Sequence, residues 1–441
     1  MAKVYDPTDC KISFIGFPLN AGIGSLNIVF TDGLVLAELN DGFTAIDKAS
    51  LSGRFSLNAL LDAGESIGVC GDARQDVEEQ FEEFVALPVT LHGRGRHVPL
   101  LQPTLRSWWT GEHPQGRFGP VTFLLARSDS GAAVGRMCLH HNPSFDDKVG
   151  AETQLFGLTE FADVSVLDTL MTYAAGSARV TARTQLVGPV ALLPNQTGGV
   201  ITSGFDERGF MDSPWNPASY PEAYEALGFA RIFEGATWIV PLGGGDGTAG
   251  GPPADEPPIG EPSGGVVVRK ASRLRLRRDL EAMRQVLNAS FAALPYYTEI
   301  SAADLAHQTA GLEFLVDPDL FLLAYIDGEP AAFVLVVPDL SEFAMARDGR
   351  LAVKDYPGLL WRRLKGTTDA ILIIKGTDPS AQGRGLQTLL ARQVERGLRA
   401  GGYRTLRSTF VETANAGSSR TYERMGGRPL QGTTFYRRTV R

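Results

Sequence analysis

Two patterns occur twice in this chain, in the same order and at nearly the same separation, and they constrain the fold more than any other feature. An apolar run, a short polar turn with glycine and a second apolar run form VTFLLARSDSGAAVGRMCL around Gly131 and recur as FLLAYIDGEPAAFVLVV around Gly328. A helix-like Tyr-Glu segment stands at Tyr224–Gly228 and again at Tyr422–Gly426. The turns are 197 residues apart and the tyrosines 198, so a duplicated domain accounts for both. Between the copies lies Pro241–Gly265, with nine Gly and six Pro among 25 residues. Such a stretch has almost nothing to bury and reads as a linker. Residues 11–69 are short apolar runs broken by Gly, Asn and Asp, the signature of strands and hairpins. The expected organisation is a β-rich segment over 1–75, a first domain over 76–240, the linker over 241–265 and a second domain over 266–441. The fold class expected is α/β with a mixed sheet.

Composition narrows the function classes. With 43% hydrophobic and 21% charged residues in 441, this is an ordinary globular composition. The net charge of −8 argues against a general nucleic-acid binder. The charge is unevenly spread. Val266–Arg441 holds 26 Lys+Arg against 18 Asp+Glu, a net of +8, while Met1–Gly265 holds 16 against 32, a net of −16. Halves of opposite sign suggest different partners or mutual docking, and the basic half is the better host for a polyanion. Three scattered cysteines, Cys10, Cys70 and Cys138, suit a reducing compartment. No apolar run approaches the roughly 20 residues of a membrane helix, and the first residues lack signal-peptide character. A cytoplasmic protein without a membrane partner is expected.

The chemistry concentrates in one segment. Ala370–Ile374 (AILII) is a continuous apolar run, as in a strand buried on both faces. It leads through Lys375, Gly376, Thr377 and Asp378-Pro379 into Gln382-Gly383-Arg384-Gly385-Leu386. From there Leu386, Leu389, Leu390, Val394 and Leu398 fall on one helical face, and Gly401-Gly402 ends the helix. Tyr403–Val411 is the next strand-like run. A glycine-rich turn between a buried strand and a helix start holds phosphate well, because glycine allows close approach and the first-turn N–H groups have no partner. Arg384 adds a positive charge.

Strand, Gln-Gly-x-Gly loop, amphipathic helix and strand, followed by Asn415 and Tyr422, resemble the acyl-CoA-binding core of the GNAT superfamily of N-acyltransferases. The wider pattern, including Val336-Pro338-Asp339-Leu340, looks like the tandem-GNAT proteins of the YghO type. The resemblance implies that backbone amides from Gln382 through Gly383, Arg384, Gly385, Leu386 and Gln387 grip the pyrophosphate of acetyl-CoA or another acyl-CoA. It also implies that Asn415 contributes to the cofactor site and that Tyr422 protonates the departing CoA thiolate. The family loop ends in a small residue where this chain has Gln387. The first copy is similar at Gly135-Arg136, Val187-Gly188-Pro189, Gly204-Phe205-Asp206 and Ser213–Phe229. It lacks the phosphate loop: Thr153–Phe161 runs into a helix with no glycine at the turn, and Asp163 there would repel an anion.

Acyl transfer from a thioester to an amine of a small molecule or peptide needs few groups. Alignment of the reactants supplies much of the rate, and a base must take the amine proton. Glu412 is the first candidate base, followed by Asp339 and Glu342. Backbone N–H near Gly376 or Thr377 would stabilise the carbonyl oxygen. Trp361–Lys365 is a basic stretch suited to a phosphate or a solvated face. His140-His141 has no partner cluster at ligand spacing, so no metal is expected. Trp215, Asn216, Tyr220 and Tyr224 form a pocket or a loop core. Two other readings stand beside the transferase: an aminoacyl-tRNA-dependent enzyme, and a non-catalytic CoA sensor or scaffold.

Overall fold

The computed structural model describes residues 10–19, 23–31, 34–39, 73–119, 121–191, 198–211, 213–243, 265–309, 316–350 and 367–440, the first three segments as backbone only. Most of the linker and the basic Trp361–Lys365 stretch lie outside the described residues. Before the linker the order is β1 (Cys10–Leu19), β2 (Ile23–Thr31), β3 (Leu34–Leu39), α1 (Ala73–His92), α2 (Gln102–Trp109), β4 (Thr122–Ser128), β5 (Ala133–His140), α3 (Pro143–Val149), β6 (Thr153–Phe161), α4 (Val164–Val180), β7 (Gln185–Gly188), β8 (Val200–Ile201), α5 (Ser219–Ala226) and β9 (Ala230–Pro241). After it come β10 (Val266–Lys270), α6 (Leu276–Phe291), α7 (Ala302–Thr309), β11 (Phe321–Ile326), β12 (Glu329–Pro338), α8 (Ser341–Met345), β13 (Asp369–Thr377), α9 (Leu386–Ala400), β14 (Thr405–Glu412), α10 (Ala416–Arg424) and β15 (Arg428–Thr439).

Both hairpins of the repeat form, as β4–β5 and β11–β12. Each leads antiparallel into a buried central strand, β6 or β13. Each central strand then pairs in parallel with the strand beyond its helix, β6 with β7 and β13 with β14. The parallel pairing is short in both halves. It ends at Leu372↔Ser408 in the second half, after which β13 and β14 part, and at Leu155↔Val187 in the first, where Val190 N–H still donates to Phe156 O.

The last strand of each half is exchanged. All strands join one mixed sheet in the order β10-β11-β12-β13-β14-β9-β15-β7-β6-β5-β4-β1-β2-β3, with β8 on β15. β9, from the first half, lies along β14 with Trp238 opposite Ser408 and Gly235 opposite Glu412. β15, from the second half, lies along β7 with Tyr436 opposite Gly188. The repeated tyrosines pack across this exchange: Tyr422 stacks on Trp238 at 5.8 Å and Tyr224 on Tyr436 at 4.8 Å. All four rings are buried, so each half completes its core with an aromatic side chain borrowed from the other.

Net charge does not govern this docking. Ion pairs between the halves run in both directions, with Arg94–Asp348, Arg117–Asp304 and Arg208–Asp339 opposed to Arg350–Glu82 and Arg428–Glu207. The joined sheet, not the +8 and −16 balance, holds them together. Among the described residues no helix is long and apolar enough to cross a membrane.

Candidate functional site

The strand-to-helix turn after β13 is built to leave its amides open. Asp378 accepts from Ser380 N at 2.9 Å and Ser380 Oγ at 2.6 Å, which turns the chain through Pro379–Ala381. Gly383 and Gly385 take φ of +79° and +74°, which a side chain would strain. No side chain caps α9. Its first bond into the helix is Leu389 N–H to Gly385 O, so the N–H groups of Gly383 through Thr388 donate to no protein acceptor among the described residues. Leu386 is buried in the core, leaving its amide as its contribution. Gln382 and Arg384 are exposed, and Arg384 has no carboxylate partner among the described residues. The positive end of α9 and one guanidinium thus face the same space, an arrangement that takes an anion.

Gln387 does not plug this turn. Its Nε2 donates sideways to Gly376 O at 2.7 Å and Thr377 Oγ1 at 2.9 Å, tying α9 to the end of β13. Gly376 itself is required by packing, since a Cβ there would sit 2.8 Å from Phe333 Cε1 and from Ser290 Oγ of α6. Asp378 N–H donates to Ala331 O on β12 at 2.8 Å. Amides alternate edges along a strand, so Gly376 shares the β12 edge and Thr377 N–H faces β14. Of the two amides expected to meet a carbonyl oxygen, Thr377 is the one presented to the opening.

That opening begins at Ile373, whose carbonyl accepts from Thr409 Oγ1 at 2.8 Å. Tyr422 of α10 packs beside it, its ring on Trp238 and its phenol pushed up in pKa by burial despite a hydrogen bond with Ser408. Lys375 Nζ lies 4.6 Å from the Tyr422 ring centroid. Burial pulls that ammonium down to about 8. Asn415 caps α10, its Oδ1 accepting from Ser418 N at 3.1 Å, and is exposed.

The candidate bases separate. Glu412, at the end of β14, accepts from Tyr296 Oη at 3.2 Å. Burial, then the Glu412 charge, raises the Tyr296 pKa. Around this pair stand Phe233, Phe410 and Phe435, with Phe233 4.9 Å from Tyr296 and 6.2 Å from Phe435. Both exchanged strands therefore contribute to one aromatic wall. Asp339 is a correction. Its Oδ2 is held by Arg208 at 3.1 Å and Arg407 at 3.3 Å, and its Oδ1 accepts from Ser341 N at 2.8 Å. Both of its oxygens are thus occupied by protein donors. Asp339 N–H also donates to Asp369 O at the start of β13, and eight residue steps of about 3.3 Å put it roughly 26 Å from Thr377. Glu342 follows it in α8, at the same remote end.

The first half closes the equivalent places. Asp163 caps α4, its Oδ1 accepting from Ser165 N at 2.8 Å, Ser165 Oγ at 2.6 Å and Val166 N at 3.1 Å. The protein's own carboxylate occupies the anion position. The gap between β6 and β7 is filled by Tyr220, whose hydroxyl accepts from Phe161 N at 2.9 Å and meets buried Glu160 at 3.0 Å. Glu160 also meets His92 Nε2 at 2.9 Å; burial pushes its carboxyl up, but the His92 hydrogen bond and the His97 and Arg136 charges together hold it below the usual range. Asn216 binds Ile201 on both edges, at 2.7 and 3.2 Å, and Trp215 Nε1 donates to Phe205 O at 3.1 Å. The Trp215–Tyr224 group is a loop core. His140 turns to Val190 O at 3.2 Å. His141, Asp146 and Glu152 bring donor atoms within 4.8 Å of one another, and His141 Nε2 already lies 2.7 Å from Asp146 Oδ2.

The sequence reading quoted Lys375 without giving it a role and missed Tyr296, Ser408 and the phenylalanine wall. One signal was available: Lys375 is one of eight lysines against 34 arginines, placed at the end of an apolar strand.

The site is thus an open strand-to-helix turn on an α/β sheet, beside a parallel pair that parts. Residues 280–427 match the Acetyltransferase (GNAT) family. The chain is 23% identical over 317 residues to Protein YghO of Escherichia coli (strain K12), covering 70% of this chain and 80% of YghO. It is 23% identical over 376 residues to Bacterial ceramide synthase of Caulobacter vibrioides (strain NA1000 / CB15N), covering 82% of this chain and 95% of that protein. A solved tandem GNAT protein from the clavulanic acid biosynthesis pathway is 15% identical, with a TM-score of 0.48, covering 85% of this chain and 97% of that one. Residues 280–427 thus carry the likeness to the GNAT acetyltransferase family.

Proposed function

We propose that this protein is an N-acyltransferase that moves an acyl group from acyl-CoA to an amine, using the half after the linker. The observation that carries it is the run of unpartnered amides from Gly383 to Thr388 beside exposed Arg384. These groups would bind the diphosphate, and the parting of β13 from β14 would admit the pantetheine arm. Thr377 N–H would stabilise the carbonyl oxygen as charge develops, Tyr422 would hydrogen-bond the departing sulfur, and Glu412 would take the amine proton. The half over 76–240 serves as a GNAT-shaped scaffold that lends β9. The scheme calls on neither metal nor nucleic acid, and a cytoplasmic setting fits the cysteine usage.

The aromatic wall of Phe233, Tyr296, Phe410 and Phe435 around Glu412 favours an acceptor amine with an apolar body. Similarity to a protein named ceramide synthase supports the same direction, since a ceramide is the amide of a fatty acid and a long-chain amino alcohol. Incubation with labelled acetyl-CoA and a labelled long-chain acyl-CoA, each against short polar amines and long-chain amino alcohols, tests both levels. Label appearing in an amide supports transfer, and preference for the long-chain amine supports the wall. Absence of any amide product with any pair would refute the reading.

A further inference from the structure

We infer that Lys375, rather than Tyr422, is the general acid that gives a proton to the departing thiolate. This rests on the acyltransferase reading and deepens it. Lys375 lies on β13 two residues before Thr377, where β14 no longer pairs with the strand. Its register partner on β12 is Val334, an apolar residue of the same core as Tyr422. Its ammonium is held over the Tyr422 ring at 4.6 Å, a cation–π contact and not an ion pair. The charged groups around it point elsewhere. Asp378 is turned onto Ser380, Arg384 is exposed, and Glu412 is bound to Tyr296. From α10 the titratable neighbour is Tyr422, and α9 brings the neutral amide of Gln387 to the strand end. Lys375 has no carboxylate partner among the described residues. A half-buried lysine kept without a counter-ion beside a cofactor channel is arranged for a negative charge that arrives there during the reaction.

The balance is simple. The amine nitrogen forms a bond to the acyl carbon and the C–S bond breaks, its electron pair remaining on sulfur. Lys375 transfers one proton from Nζ to that sulfur and becomes a neutral amine. The nitrogen of the new amide loses one proton to Glu412, and solvent restores both groups. The match in acidity is close, because Lys375 is pulled down to about 8 by burial and an ordinary thiol titrates near about 8.5. Tyr422 is a poorer donor, since burial raises its phenol.

The test uses the full chain, an acyl-CoA and hydroxylamine, an amine already neutral across the pH range, after subtraction of the uncatalysed rate. Wild-type kcat should fall as pH rises through about 8. Lys375→Met should lower kcat on the order of 100-fold, leave KM for acyl-CoA nearly unchanged and remove that fall. Lys375→Arg keeps the positive charge but holds its proton too tightly to give it up, so it should lose activity as Lys375→Met does and show no fall near pH 8. Thermal unfolding of each variant checks the fold. Equal kcat and an unchanged pH profile in a folded Lys375→Met would overturn the assignment while leaving the acyltransferase intact. Absence of wild-type turnover together with absence of CoA binding would overturn both.

Discussion

Two helix starts in this molecule occupy equivalent places and have opposite chemistry. At α4 the Asp163 carboxylate accepts from the first amides; at α9 a left-handed Gly385 leaves them open. The same contrast holds one layer deeper. Tyr220 and Glu160 fill the gap between β6 and β7, whereas β13 and β14 part around Thr377 and Lys375. A helix N-terminus binds whichever anion is supplied, so one aspartate converts an open helix start into a self-capped one. The duplicated half was not discarded, because its β9 completes the other half's sheet.

The exchange of strands gives the largest expected effect. Trp238→Ala, which removes the buried ring under Tyr422, should destabilise the protein by about 3–5 kcal/mol and abolish transfer by the half it does not belong to in sequence. Chemical denaturation with two probes measures it, and a loss confined to the first half would break the comparison. Next, Gly385→Asp copies the first half's cap into the second. CoA binding should weaken on the order of 100-fold, about 2.7 kcal/mol, in calorimetry, and the melting temperature should fall by the strain of a side chain at positive φ.

Acid sharpens the contrast at a lower magnitude. Five of the six histidines, all but His307, precede the linker. Burial lowers His140 to about 4 from its ordinary 6.5, so the unfolded chain binds the extra proton. Its stabilising effect is complete above 6.5 and is lost as pH falls towards 4, by about 2 kcal/mol at pH 5. Unfolding followed from pH 7 to 5 should weaken the first half ahead of the second, and His140→Gln should flatten that slope. The smallest effect belongs to Asp163→Ala. It should cost about 1 kcal/mol for the lost cap and create no CoA site, because Tyr220 still blocks the gap.

What could be read from the sequence was local. The strand, the Gln382–Gln387 turn and α9 lie within some thirty consecutive residues (369–400), and their period and glycines announce them. The tandem hairpins were visible for the same reason. Strand exchange was not, because β9 and β15 are both long terminal strands and only three-dimensional register decides which parallel pair each joins. Asp339 was misjudged through its partners: Arg208 and Arg407 come from 131 and 68 residues away. Glu412 depended likewise on Tyr296 and on phenylalanines from both exchanged strands. Side chains whose role is set by a distant counter-charge, or by lacking one among the described residues as Lys375 does, leave no mark in spacing.

Titration calorimetry of the intact chain with coenzyme A addresses the central contrast most directly. The account predicts a single binding event per chain that disappears in Gly385→Asp and persists in Asp163→Ala. Two equivalent events, or one that survives Gly385→Asp, would contradict it.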